Sequence, residues 1–215
     1  LAEVERLFAD RIERRRDITF DKERVTPRAR ETRRLGALTL EARNLAIAPG
    51  AETARALAEA LAALGLDRLP WSPRLNQLRS RVAFLRRAEG EEWPDLSDAA
   101  LATNAADWLA PHLEGARGLS DVSEAILSDA LDALLPWDMR RRLDAEAPTH
   151  FETPAGSRIA IDYAAEGGPA ISVRVQELFG LKIHPELARG RVKPVFHLLS
   201  PAHRPIQTTG DLPRF

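Results

Sequence analysis

Arg24, Arg28, Arg30 and Arg34 occupy even positions of a run in which Val25, Pro27 and Ala29 take odd ones. Side chains alternate between the two faces of a strand, so this run sets four guanidiniums along one face. Guanidiniums so arranged suit the phosphates of a nucleic-acid backbone, which they hold through charge-assisted, often bidentate hydrogen bonds. The alternative is a solvated strand face on which Glu23 and Glu31 are partial neutralisers, because charge on a strand also guards against edge pairing. No aromatic platform accompanies these arginines in the sequence; Phe20 stands alone and is expected in a core.

Arg174, Arg191 and Lys193 are a second set of candidates for phosphate contact. Arg140-Arg141-Arg142 would spread over a wide arc of a helix rather than form one patch. They read either as a solvated helix end that favours the helix dipole or as a contact to RNA or another domain. His150, Asp162, Tyr163, Glu177, His184 and His197 are titratable groups able in principle to transfer protons. No nucleophile elbow, His-x-x-x-His or recognisable carboxylate pair goes with them, so structural roles are expected. No catalytic, cofactor-binding or metal-binding residue is therefore assigned. A nucleoside-triphosphate motor needs a phosphate loop ending in Gly-Lys-Ser/Thr. The three lysines, Lys22, Lys182 and Lys193, follow Asp, Leu and Val, so the chain itself is not expected to be an enzyme.

The elements that must position these residues form three modules, at 1–48, 49–147 and 148–215. In the first, a short helix over Ala2–Ala9 precedes a three-strand antiparallel meander. Ile12, Ile18 and Phe20 share one parity, the arginine run supplies the second strand, and Leu38, Leu40 and Ala42 alternate in the third. Pro49-Gly50 ends the meander. In the second module, Ala54, Leu57, Ala58, Leu61 and Leu64 form a helical stripe stopped by Gly65. Ser72 is an N-cap followed by Pro73 at the first helical position; Leu75, Leu78, Val82 and Leu85 then repeat at helical spacing, with Arg74, Arg79, Arg81, Arg86 and Arg87 largely on other sides. Ser97 caps a helix running toward Pro111, Ser120 or Ser123 starts another, and Pro136 opens the last, to about Glu146. Trp71, Trp93, Trp108 and Trp137 lie near helix ends and are expected to anchor the core of this helical bundle.

In the third module Pro154-Ala155-Gly156-Ser157 separates the two strands of a hairpin. Further strands are expected at Ile171–Val175, Val192–Leu199 and Pro205–Thr209, with a helical turn at Glu177–Phe179. The fold class is α+β, with a small, mixed and mostly antiparallel C-terminal sheet.

Composition bounds the function. Hydrophobic residues make up 44% and charged residues 29% of the 215, as in an ordinary globular protein. No apolar run approaches the roughly 18–20 residues of a membrane helix. Without cysteine, disulfides and thiolate metal sites are excluded, which fits a cytoplasmic setting. The start, Leu1-Ala2-Glu3-Val4-Glu5, has no signal-peptide shape and reads as a cut into a longer protein. Residues 1–48 carry a net charge of +3, residues 49–134 a net −6 and residues 135–215 a net +2, a pattern that follows the modules.

Leu134-Leu135-Pro136-Trp137-Asp138-Met139-Arg140-Arg141-Arg142-Leu143 opens a densely punctuated stretch. Ala147-Pro148-Thr149-His150-Phe151, Ile161-Asp162-Tyr163 and Val175-Gln176-Glu177-Leu178-Phe179-Gly180-Leu181 follow in order. This series resembles the C-terminal domain of the HrpB family of bacterial DEAH-box ATP-dependent helicases. The likeness extends upstream through Trp93-Pro94-Asp95-Leu96-Ser97-Asp98, Leu69-Pro70-Trp71-Ser72 and Arg34-Leu35-Gly36-Ala37-Leu38. It implies that the first module is the end of an OB-like unit and that two motor domains upstream hold ATP and Mg²⁺. The expected role is a non-catalytic accessory region that lines an RNA path and braces those domains. Its partners would be single-stranded RNA, bound weakly and salt-dependently, and the motor domains. The rival is a protein-interaction scaffold, favoured by the acidic middle and the absence of net positive charge.

Overall fold

The computed structural model describes residues 6–23, 25–45 and 47–212. Contacts divide the chain into two compact units. Unit 1 joins the N-terminal segment up to Trp71 to Asp98–Ala133, and unit 2 joins Ser72–Ser97 to the segment from Leu134 onward.

Unit 1 begins with the expected meander. Strands β1 (Ile12–Phe20), β2 (Pro27–Leu35) and β3 (Leu38–Leu45) pair antiparallel in sequence order. Of Ala2–Ala9, expected as a helix, residues 2–5 lie outside the described residues. At the β1–β2 turn, the Arg68 guanidinium donates to the carbonyls of Lys22 and Glu23 at 2.7 and 2.9 Å. Val25 there is fully buried and has φ +46°, an outlier for a β-branched side chain; its backbone N–H donates to the Asp21 carbonyl at 2.8 Å.

The third strand departs from simple alternation. Arg33 lies opposite Glu41 but Arg34 lies opposite Thr39, so Leu40 is an extra residue in a bulge. A bulge of this kind shifts the parity of everything beyond it. Leu38, opposite Leu35, and Ala42, opposite Thr32, therefore stand on opposite faces of the sheet, not on the one face that the alternation implies.

Helix α1 (Ala51–Leu64) buries Ala54, Leu57, Ala58 and Leu61, the stripe read from the sequence. The segment expected to form one helix from Ser97 to Pro111 is instead broken into α3 (Asp98–Thr103) and α4 (Ala105–Trp108), counting α2 (Pro73–Glu89) of unit 2. The Thr103 hydroxyl and the Asn104 amide donate back to the carbonyls of Ala99 and Ala100, and such local side-chain bonds compete with helix continuation. Helix α5 (Glu124–Ala133) starts at Ser123, whose Oγ accepts from the Ile126 N–H. The core of the unit is built from Leu57, Leu61, Leu101, Trp108, Leu109, Leu113, Leu127 and Leu131, all buried.

In unit 2, α2 has the Ser72 cap, with Oγ accepting from Leu75 N–H at 3.3 Å. Helix α6 (Trp137–Glu146) follows Pro136. Strands β4 (His150–Glu152) and β5 (Arg158–Ala160) make the expected hairpin. Strand β6 (Ala170–Arg174) pairs parallel with β7 (Val195–Leu199), which pairs antiparallel with β8 (Pro205–Thr209). The expected helical turn falls at Val175–Leu178. Ile171, Val173, Phe196 and Leu198 bury one sheet face. Phe196 also meets Phe151 and His184 edge-on, at 5.4 and 5.3 Å between ring centroids.

Arg81, expected away from the apolar stripe of α2, is buried. Its guanidinium donates to the carbonyls of Ala147 at 2.6 Å and Leu143 at 3.3 Å and to the Asp144 carboxylate at 2.7 Å. It therefore satisfies the Ala147 carbonyl at the end of α6 and adds a second donor to the Leu143 carbonyl, which already accepts from Ala147 N–H. The Gln77 amide similarly donates to the carbonyls of Thr149 and Ile161.

Candidate nucleic-acid interface

The register of β1, β2 and β3 defines both faces of the meander. Arg28, Arg30, Thr32 and Arg34 share one face of β2, opposite Thr19, Asp17, Arg15 and Glu13 of β1. Arg24 lies outside the described residues. Arg28 faces Asp21 at 3.6 Å with its side chain 74% exposed, a geometry worth little in water. Asp17 is engaged by Arg15 at 2.8 Å. Arg30 is exposed and makes no ion pair among the described residues, and the Arg34 Nε is buried without a hydrogen-bond partner. The opposite face carries paired charges: Arg33 with Glu41 at 3.2 Å, and Arg43 with Glu31. The even face thus sets Arg15, Arg28, Arg30 and Arg34 beside Glu13 and Asp17, and the odd face sets Arg14, Arg16, Arg33 and Arg43 beside Glu31 and Glu41, so both faces carry an excess of arginine.

The second set of candidates belongs to unit 2. Arg174 pairs with Glu177 at 2.5 Å. Arg191 faces Glu89 at 3.5 Å and donates to the Ala88 carbonyl at 3.4 Å. Lys193 is exposed. Two of these three cations are thus engaged within their own unit.

Glu89 is the centre of a charge cluster that sequence reading missed. Its side chain is 2% exposed and that of Glu146 is 8% exposed. Arg142 reaches Glu89 at 2.9 Å, Glu92 at 3.0 Å and Glu146 at 3.3 Å. Arg189 adds a contact to Glu146 at 2.7 Å, and the Trp93 indole donates to Glu89 at 2.9 Å. Burial pushes the Glu146 pKa upward, but hydrogen bonds from Arg189 and Arg142 outweigh it and hold the carboxyl below its ordinary range. The i, i+4 spacings Glu89–Trp93 and Arg142–Glu146 are visible in the sequence; their convergence is not. Arg189 and Arg191 come from a loop in which Ala188, Arg189 and Gly190 have φ of 49, 57 and 82°. Bonds from Ala188 N–H to the Glu146 carbonyl and between Leu187 and Val192 hold that loop.

The titratable candidates have structural partners. The Tyr163 hydroxyl donates to the Pro148 carbonyl at 2.7 Å, and burial raises its pKa. His184 is buried; its Nδ1 accepts from Leu212 N–H and its Nε2 meets the Pro194 carbonyl at 2.8 Å, the pattern of a neutral imidazole. His197 and His150 meet the hydroxyls of Thr208 and Thr149, and the Asp162 carboxylate accepts from Ala164 N–H. Among the described residues no group of three or more His, Asp or Glu side chains gathers to hold a metal ion.

Glu177 accepts from the Ser157 hydroxyl at 2.7 Å and from Thr153 at 3.4 Å, fastening the β4–β5 hairpin to the segment after β6. The Ser157 hydroxyl, and then Arg174, hold its carboxyl below the ordinary value of 4.5. A carboxyl with a lowered folded-state pKa stabilises above its unfolded pKa and loses that contribution as pH falls through the folded one. The melting temperature of the wild type is therefore expected to fall more steeply below about pH 4.5 than that of Glu177→Gln. Parallel melting curves from pH 6 down to about pH 3 check this; identical slopes would remove Glu177 from the account.

Comparison with known proteins agrees with this architecture. Residues 108–215 match the HrpB C-terminal family, described as ATP-dependent helicase C-terminal. The chain is 38% identical over 199 residues to the ATP-dependent RNA helicase HrpB of Escherichia coli K12, covering 92% of this chain and 25% of that protein. The crystal structure of the E. coli DExH-box NTPase HrpB matches with a TM-score of 0.77 at 35% identity, covering 100% of this chain and 27% of that one. That of the E. coli DEAH/RHA helicase HrpB gives 0.74 at 36%, covering 95% and 26%. The chain thus spans about a quarter of the length of these relatives. By sequence and by fold, this chain belongs to the HrpB helicase C-terminal family.

Proposed function

We propose that this accessory helicase region lies along the RNA path of an ATP-dependent RNA helicase and braces the motor domains upstream, where ATP and Mg²⁺ would act. The observation that carries the reading is the arginine-rich face of β2, where Arg28, Arg30 and Arg34 stand together. Binding there would be electrostatic and independent of sequence, because guanidiniums without a base-reading partner recognise phosphate alone. ATP-driven strand movement belongs, on this reading, to the rest of the protein, and the setting is cytoplasmic. Among the described residues no helix is long and apolar enough to cross a membrane.

Anisotropy titrations with labelled single-stranded RNA test this. Three or four phosphate contacts on a single strand give a slope of log affinity against log salt of about −2 to −3. Replacing Arg24, Arg28, Arg30 and Arg34 together by Glu is expected to abolish binding and leave the circular dichroism spectrum intact. Unchanged affinity in that variant would rule out the β2 face.

One observation favours a second reading, protein docking. Phe179 and Ile183 are 72% and 79% exposed, and Phe179 lines a cavity of about 320 Å³ with Val175, Leu178, Leu181 and Leu212. Absence of RNA binding at low salt, together with salt-resistant capture of a protein partner, would favour it.

A further inference from the structure

The four tryptophans do not share one role. Trp93 and Trp108 are buried and Trp71 is half-buried. Their indole N–H groups donate to the Glu89 carboxylate and to the carbonyls of Leu101 and Leu66. Trp137, expected to be a core anchor like the others, is 68% exposed at the first position of α6. Its indole N–H has no acceptor among the described residues. A Trp side chain presents a large apolar area, and leaving it in water contributes nothing to the packing of the unit.

One turn along the helix, the Arg141 guanidinium carbon lies 4.7 Å from the Trp137 ring centroid, within cation–π range. The neighbouring charges are already engaged: Arg142 with Glu89, Glu92 and Glu146, and Asp144 with Arg81. Arg140 donates from Nε to the Leu135 carbonyl. Arg141 is exposed and has no carboxylate partner among the described residues. Nearby Pro136, Asp138 and Arg140 are exposed, and no large aliphatic side chain from 136 to 142 is. The surface is therefore an aromatic plane with a free cation at its face, unlike the aliphatic setting of Phe179 and Ile183.

We infer that Trp137 and Arg141 form a stacking site for an unpaired base of a single-stranded nucleic acid, with Arg141 also reaching the adjacent phosphate. The inference takes its ligand class from the RNA reading above, but it does not depend on the β2 arginines. Indole and guanidinium planes both stack on bases, and every base offers a π face, so such a site tolerates any sequence.

The test uses intrinsic tryptophan fluorescence, with the chain titrated against a single-stranded oligoadenylate and against an abasic oligonucleotide of equal length. The oligoadenylate is expected to quench the emission of exposed Trp137, and the abasic strand is not. Trp137→Phe should remove the quench while keeping affinity within about twofold, because phenylalanine still stacks. Trp137→Ala should lower affinity by about 5- to 100-fold with an unchanged unfolding midpoint, and Arg141→Ala should weaken binding of the oligoadenylate. Quenching that survives Trp137→Phe, wild-type affinity in Trp137→Ala, or no quenching of the wild type would each overturn the site. The last outcome leaves Trp137 as a protein-docking residue. The quadruple β2 variant separates the two ideas. Loss of binding there with Trp137→Ala unaffected refutes the stacking site alone; the reverse refutes the β2 face alone.

Discussion

Replacement of Arg142 by alanine is expected to destabilise unit 2 by about 3–5 kcal/mol. The guanidinium is the shared donor to Glu89 and Glu146, whose side chains are 2% and 8% exposed. A buried ion pair adds little relative to apolar packing, but removing one partner strands the other charge out of water. Here Glu89 would lose its nearest cation and keep only the Trp93 N–H, while Glu146 would keep Arg189 at 2.7 Å. Arg189 and Arg191 approach Glu89 no nearer than 3.9 and 3.5 Å, so neither replaces the 2.9 Å contact. The guanidinium also lies over the buried Trp93 ring at 5.0 Å, so alanine leaves a gap against an aromatic face. Urea denaturation followed by circular dichroism reads the effect as a lower midpoint with an unchanged slope. Arg142→Lys should fall between the two, since one ammonium cannot present a planar fork to several carboxylates. A loss below about 1 kcal/mol would make the cluster an ordinary surface ion pair.

Arg81→Met is expected to cost about 3 kcal/mol. Methionine roughly fills the volume but donates nothing. The Ala147 carbonyl would lose the Arg81 donor, while the Leu143 carbonyl would keep the Ala147 N–H at 2.9 Å. Hydrogen bonds to charged groups contribute about 1.5–3 kcal/mol each, and a buried acceptor left open adds its desolvation cost. The Asp144 side chain is 74% exposed and would rehydrate, so that contact adds little. Hydrogen exchange at the amides of α6 is the sharper readout. Protection there should fall by more than in β6 and β7; a uniform fall would show that Arg81 acts on the unit as a whole rather than on the helix end.

These two side chains show where the sequence stops being legible. Elements defined by local chemistry are readable: the alternation of β2, the stripe of α1, the caps at Ser72 and Ser123, and the β4–β5 turn. Each depends on a few adjacent residues, and the structure has them where spacing puts them. The face holding Arg28, Arg30 and Arg34 is readable for the same reason. Arg81 is not, because its burial depends on α6, more than fifty residues later in the chain. Arg142 is similar: the sequence shows three consecutive arginines, and only packing separates an inward one from an outward one. Trp137 misleads in the other direction, since tryptophan near a helix end is usually an anchor. The bulge at Leu40 and the break at Asn104 leave only weak traces, as the first is a one-residue register shift and the second rests on two local side-chain hydrogen bonds. The family resemblance rested on long irregular motifs, and comparison with known proteins supports it over most of the chain.

The interleaving of the two units has a consequence for synthesis. Unit 2 takes α2 from residues 73–89 and its partner helix from 137–146, while the intervening residues 98–133 go to unit 1. Ribosomal elongation runs at about 5–20 residues per second, so α2 emerges seconds before α6 exists to receive Arg81. The parallel β6–β7 pair waits longer still, until Leu199 has been made. Unit 1 is complete by Ala133 and can collapse first. During that interval the apolar stripe of α2 has no mate from the later segment of its own unit, and residues 73–89 wait for α6 to bury it.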